Sequence, residues 1–188
     1  MGVSTVDGLM MGTRGGSIEP GVLLYLLQEK AYTTQELEDL LYRNSGLLGM
    51  SGISSDVRDL LASNAPAARE ALDLFCYRVV REIGSLIAAL GGLDALVFTA
   101  GIGEHASELR ARICKPLGWL GLELDDTANR ANAPAISTPG SRVTTLVIPT
   151  NEEAVIAHHT ARVLGLSATS PCATAACTSR PWPVSIRW

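Results

Sequence analysis

Hydrophobic positions along the 188-residue chain fall into runs of helical spacing separated by glycine-rich breaks. The longest run covers about residues 65–90, where Ala68, Leu72, Phe75, Val79, Ile83, Leu86 and Leu90 recur at intervals of four or three. Such spacing keeps the side chains on one stripe and predicts a long helix with a buried face. Gly91-Gly92 predicts its end. Upstream, Glu19-Pro20 puts an acid and a proline where a helix begins, and Val22, Leu23, Leu26 and Leu27 supply its apolar face. Thr33 and Glu36 have the spacing of a capping box, so a second helix follows with Leu37, Leu40 and Leu41 inward. Gly46, Gly49 and Gly52 then predict a tight loop.

Asp94-Ala95-Leu96-Val97-Phe98-Thr99, with four apolar residues in a row at its centre, predicts a short interior strand. A helix is expected at about 105–114, and a second strand, rich in β-branched residues, from Arg142 to Ile148. Pro149 stops that strand, and Thr150 with Glu153 predicts a capping box opening a helix to about Leu164. Two strands and about five helices make a helix-rich α/β pattern. Two strands cannot form a stable open sheet under that many helices, so the first strands of the domain are expected to lie upstream of Met1. From Ser167 the chain turns to Cys, Ser, Thr, Ala and Pro without periodicity, with Trp182 and Trp188 beside prolines. Residues 1–166 therefore read as one partial domain, and 167–188 as a low-complexity tail expected to be disordered.

Composition changes this picture little. Apolar residues make up 47% and charged residues 18%, and the net charge of −4 gives no bulk case for nucleic acid or an anionic membrane as a partner. There is neither an apolar run of bilayer-spanning length nor a basic-then-apolar leader, so a cytoplasmic location is expected. Cys76 and Cys114 lie within apolar helical patterns and are expected in the core. Cys172 and Cys177 lie in the tail without metal-ligand spacing.

Candidate chemistry is carried by four short segments. Gly101-Ile102-Gly103 follows the first strand, where glycines either let backbone N–H groups approach a phosphate or simply make a strand-to-helix turn. Ala106 occupies the place of the third glycine of a dinucleotide fingerprint, and no Gly-Lys-Ser/Thr phosphate loop is present. Arg14, framed by Gly12 and Gly15-Gly16, is either an anion clamp or an exposed arginine. Asp56 and Arg58 either fix the edge of a nucleoside or start a helix. Glu152, in a first helical turn, either orients Mg²⁺ beside phosphates or is an ordinary first-turn acid. Glu104 is placed to aim a hydrogen bond at the loop before it, and His105 to contact a phosphate or to cap a helix.

Taken together, these segments resemble the C-terminal part of the acetokinase family, the acetate, propionate and butyrate kinases. Gly8-Leu9-Met10-Met11-Gly12-Thr13-Arg14-Gly15-Gly16-Ser17-Ile18-Glu19-Pro20 is similar to that family's Gly-Leu-Met-Met-Gly-Thr-Arg-x-Gly-Asp-x-Asp-Pro, with Ser17 and Glu19 replacing two aspartates. Ser45-Gly46-Leu47-Leu48-Gly49, Asp56-Val57-Arg58 and Pro149-Thr150-Asn151-Glu152-Glu153 also match. The likeness covers about residues 1–165. It departs at Ala100, where the family usually has Gly, and at His105, where it usually has Asn.

The resemblance implies the acetate/sugar kinase, heat-shock chaperone and actin superfamily, with its ribonuclease-H-like fold. It implies a partial C-terminal nucleotide-binding domain facing a second domain across a cleft. It implies ATP and ADP with Mg²⁺, and transfer of a phosphoryl group to acetate or another short-chain carboxylate. Arg14 would bind substrate and stabilise the transferring group. Asp56, Val57 and Arg58 would line the adenosine pocket. Gly101, Ile102, Gly103, Glu104 and His105 would form the nucleotide loop, and Glu152 would be the Mg²⁺-associated carboxylate. It also implies a homodimer formed through this domain. Because positioning and dry electrostatics supply the catalysis of phosphoryl transfer, this chain alone is expected to be inactive. The alternatives are a truncated remnant that binds nucleotide weakly or only self-associates, and a propionate kinase. A sugar kinase is disfavoured by Met10-Met11-Gly12-Thr13-Arg14.

Overall fold

A computed structural model describes residues 4–166 and 184–185, and the side chain of Glu152 lies outside that description. Helix α1 (Pro20–Gln28) starts as its sequence predicts, with Pro20 in the first turn and the Glu19 carboxylate accepting from the Gly21 N–H. Helix α2 (Thr34–Arg43) carries the expected capping box. The Glu36 N–H donates to Thr33 Oγ1, and the Thr33 N–H donates to the Glu36 carboxylate.

The expected loop at Gly46, Gly49 and Gly52 is instead a short helix, α3 (Gly46–Ser51), ended by Gly52 in a left-handed conformation. Its first N–H groups find acceptors outside the helix, which is why so short a helix holds. Leu47 N–H donates to Met11 O, and Leu48 N–H to Gly12 O, each at 2.9 Å. Gly46 permits this approach: its φ is +65°, and a Cβ there would strike the Met11 carbonyl oxygen. The segment carrying Arg14 is thereby fixed to the start of α3.

Helix α4 (Val57–Ala62) follows, then α5 (Pro66–Leu90). The buried face of α5 runs Ala68, Ala71, Leu72, Phe75, Cys76, Val79, Ile83 and Ile87. Its far end departs from the expected stripe, for Leu90 is exposed and Ile87 replaces Leu86 inside. Beyond Val79 the buried positions step by four, to Ile83 and Ile87, which carries the buried face past Leu86 and Leu90.

Strand β1 (Ala95–Phe98) leads into two helices where one was expected: α6 (Ala100–His105) and α7 (Ser107–Cys114), broken at Ala106. The two glycines thus stand inside a helical turn. A 3₁₀ turn (Lys115–Leu120) and α8 (Asp126–Arg130) complete the crossover to β2 (Thr144–Val147). β1 and β2 are parallel, in register from Ala95 opposite Thr144 to Phe98 opposite Val147. Helix α9 (Glu152–Val163) is capped by Asn151, whose Oδ1 accepts from the Ala154 N–H, and not by Thr150 as expected. Thr150 is engaged elsewhere, by Glu104.

The expected tail, with Cys172, Cys177, Trp182 and Trp188, lies outside the described residues except for β3 (Val184–Ser185), which pairs in parallel with Leu96 and Val97 of β1. Among the described residues the sheet order is β2-β1-β3. The core gathers α5 with Leu47, Leu60, Leu96, Phe98, Leu109, Ile113, Leu117 and Ile136. Cys76 and Cys114 are buried in it as free thiols, and burial pushes them up to about 11 and about 12 respectively. No helix among the described residues is long and apolar enough to cross a membrane.

Candidate functional site

A cavity of about 560 Å³ opens between the start of α4 and helix α6. Ser55, Asp56, Val57, Arg58 and Leu61 line one side; Gly101, Ile102, His105 and Ala106 line the other. Two segments separated in sequence by the long α5 therefore meet at one site. Strand β1 is buried, which fixes where α6 begins. Ala100 makes the turn with φ at +60°, a left-handed conformation that strains an alanine.

Asp56 caps α4, its Oδ1 accepting from the Arg58 N–H at 2.8 Å. The same carboxylate accepts from Arg58 Nε at 3.1 Å to each oxygen. The Arg58 guanidinium, and then its N–H, hold the Asp56 carboxyl down to about 2. The Arg58 side chain is 88% exposed, so this pair is screened by solvent and orients more than it stabilises.

Gly101 has an ordinary backbone, and a Cβ built there would meet nothing within 4 Å. Neither conformation nor packing among the described residues calls for glycine at that position. Space left open beside Ile102 and Val57 suits a flat group, with Asp56, Arg58 and His105 as polar edges. That donor set fits a nucleoside with its phosphates, in both the apolar faces and the unencumbered backbone of the α6 turn.

Of the other residues singled out in the sequence, Gly103 is buried within α6. Glu104 turns away from the cavity: its carboxylate accepts from the Thr150 N–H at 2.9 Å and the Thr150 hydroxyl at 3.1 Å. These bonds, the backbone one first, hold Glu104 below the usual carboxylate range. Arg14 does not line the cavity. Its Nη1 donates to Thr5 O at 3.3 Å, its guanidinium lies 5.8 Å from the Tyr42 ring centroid, and its Nε is buried without a hydrogen-bond partner. The Arg14 segment nonetheless abuts the loop leading to Asp56, since a Cβ at Gly12 would lie 2.9 Å from Ser55 O. Glu152 opens α9, two residues after Thr150; the role expected of its carboxylate falls outside the described atoms. Among the described residues no three His, Cys, Asp or Glu side chains gather as a metal cage.

Sequence reading missed Leu61, which completes the apolar wall, because it looks like any helix-core leucine. It also missed Thr150 as the partner of Glu104, a contact across 46 residues with no local signal.

Residues 1–158 match the sequence profile of the acetokinase family. The chain is 60% identical over 165 residues to an acetate kinase of Rhodopseudomonas palustris, covering 87% of this chain and 42% of that protein. It is 53% identical over 164 residues to an acetate kinase of Rickettsia akari, covering 87% of this chain and 43% of that one. Among solved structures, Porphyromonas gingivalis acetate kinase superposes with a TM-score of 0.77 at 38% identity, over 85% of this chain and 41% of that chain. A propionate kinase from Francisella tularensis gives 0.78 at 37% identity, over 84% and 41%. The chain thus spans about two fifths of the length of these relatives. With its fold shared with solved acetate kinases and most of its length matching the family profile, the chain belongs to the acetokinase family.

Proposed function

We propose that this chain is the C-terminal, nucleotide-binding part of an acetate kinase, which transfers the γ-phosphoryl group of ATP to acetate, giving ADP and acetyl phosphate. The observation that carries the reading is the cavity that joins Asp56-Val57-Arg58 to Gly101, Ile102 and His105, with a glycine at 101 that the fold itself does not require. Val57, Leu61 and Ile102 would hold the base and ribose, while the α6 turn and His105 would face the phosphates. In the reaction a carboxylate oxygen forms the new bond to phosphorus as the bond to the bridging oxygen of ADP breaks. Arg14, whose Nε lacks a partner, would turn its guanidinium to the equatorial oxygens. Mg²⁺ carried on the phosphates would offset their charge, with Glu152 orienting it.

A second reading has specific support. Helix α1 has no buried residue, with Val22, Leu24 and Tyr25 exposed, and α9 exposes Val155, Ile156 and Val163. Such faces suit packing against the rest of a longer enzyme or against a second copy in a homodimer. On that reading this chain alone binds nucleotide, or self-associates, without turnover. A propionate kinase is among the structural neighbours, so propionate is the alternative acceptor.

The test is a chimera: these residues replace the matched segment of the Rhodopseudomonas palustris acetate kinase, and acetyl phosphate is measured with Mg-ATP and acetate. Retained turnover supports the reading. A folded chimera without turnover contradicts it.

A further inference from the structure

Arg110 is 1% exposed and forms no salt bridge with any described carboxylate. A buried charge without a counter-charge is costly unless every donor is satisfied. Here the guanidinium is engaged all round. Nη1 donates to Gly103 O and Glu104 O, both at 2.8 Å. Nε donates to Asn129 Oδ1 at 2.8 Å, and Nη2 to Asn129 O at 2.7 Å and Asn132 Oδ1 at 2.6 Å.

Three otherwise odd features are explained by this one side chain. The break at Ala106 leaves Gly103 O and Glu104 O, near the end of α6, in need of donors, and Arg110 supplies them. Asn129 is 2% exposed, an unusual burial for an amide, and it both receives Arg110 and donates through Nδ2 to Ser107 O at 2.9 Å. Asn132 adopts φ of +51°, and its side chain closes the ring of acceptors. The positive charge also complements the C-terminal end of α6.

We infer that Arg110 is the positioning residue of the nucleotide turn: it fixes α6 from behind by its carbonyls, so that Gly101, Ile102 and His105 face the cavity in one geometry. This rests on the nucleotide reading of that cavity. The hydrogen-bond partners of the Arg110 side chain, Gly103, Glu104, Asn129 and Asn132, are not among the residues lining the cavity, so the guanidinium acts through the backbone of α6.

The experiment pairs amide hydrogen exchange with Mg-ADP titration calorimetry on the 188-residue chain, unaltered and as two variants. Arg110→Lys keeps the charge and loses the fork. Asn132→Gly removes one acceptor while accepting the left-handed backbone. In both, exchange at residues 103–107 is expected to accelerate about tenfold relative to β1, and Mg-ADP to bind several-fold more weakly, with the larger effect for Arg110→Lys. Unchanged exchange at 103–107 would overturn the inference, as would uniform acceleration across the whole chain, which marks a packing role only. Failure of the unaltered chain to bind Mg-ADP would overturn the nucleotide reading instead, and the exchange arm would still decide whether Arg110 holds the turn.

Discussion

The Glu104 carboxylate accepts both the backbone N–H and the hydroxyl of Thr150, at 2.9 and 3.1 Å. It joins the α6 turn to the approach to α9, so the cavity-lining and Glu152-bearing segments are tied together. Thr150→Val keeps the N–H donor and loses the hydroxyl. In an exposed setting the expected loss is small, about 0.5 kcal/mol, read as a lowered urea midpoint. Glu104→Gln weakens both bonds and should cost more than Thr150→Val. Equal stability of all three proteins would show that this contact does not form in solution.

Gly101→Ala separates folding from binding. A methyl there meets nothing within 4 Å, and alanine is the better helix former, so stability should stay level or rise by up to about 1 kcal/mol. Nucleotide affinity should fall, because the methyl enters the space in which the backbone meets its ligand. Unaltered affinity would mean the glycine serves no ligand.

Asp56 supplies a pH dependence. Its carboxyl lies near 2 in the folded chain against an ordinary 3.8, so the folded state binds its proton less readily than the unfolded chain. Its stabilising contribution is fully present above about 3.8 and is lost as pH falls through about 2. A carboxyl-carbon NMR titration should show the low midpoint, and Arg58→Ala should raise it. A midpoint of 3.8 in the unaltered chain would remove the pairing from the account.

Arg14→Ala, placed in the chimeric enzyme, should lower turnover by about a hundredfold or more and change ATP affinity little. Equal losses in turnover and affinity would assign Arg14 to ground-state binding.

Much of this was legible in the chain. Capping pairs are local, so Thr33 with Glu36 could be read directly. Periodicity gave α5, and the family resemblance pointed to residues on both walls of the cavity. What escaped depended on distant partners. The helix at Gly46–Ser51 exists because Met11 O and Gly12 O accept its first N–H groups. Thr150 has the local look of a cap, yet Glu104 engages it and Asn151 caps instead. Arg110 resembles a surface arginine in a charged helix, and its partners lie on other elements, in α6, in α8 and in the turn after α8. The metal-side role of Glu152 was read from its motif alone.

The most direct measurement is calorimetric titration of Mg-ATP into the purified chain, beside a thermal melt of the same preparation. Saturable binding that weakens by about tenfold in Gly101→Ala is the predicted result. A cooperatively folded chain that takes up no nucleotide would contradict the assignment of this cavity.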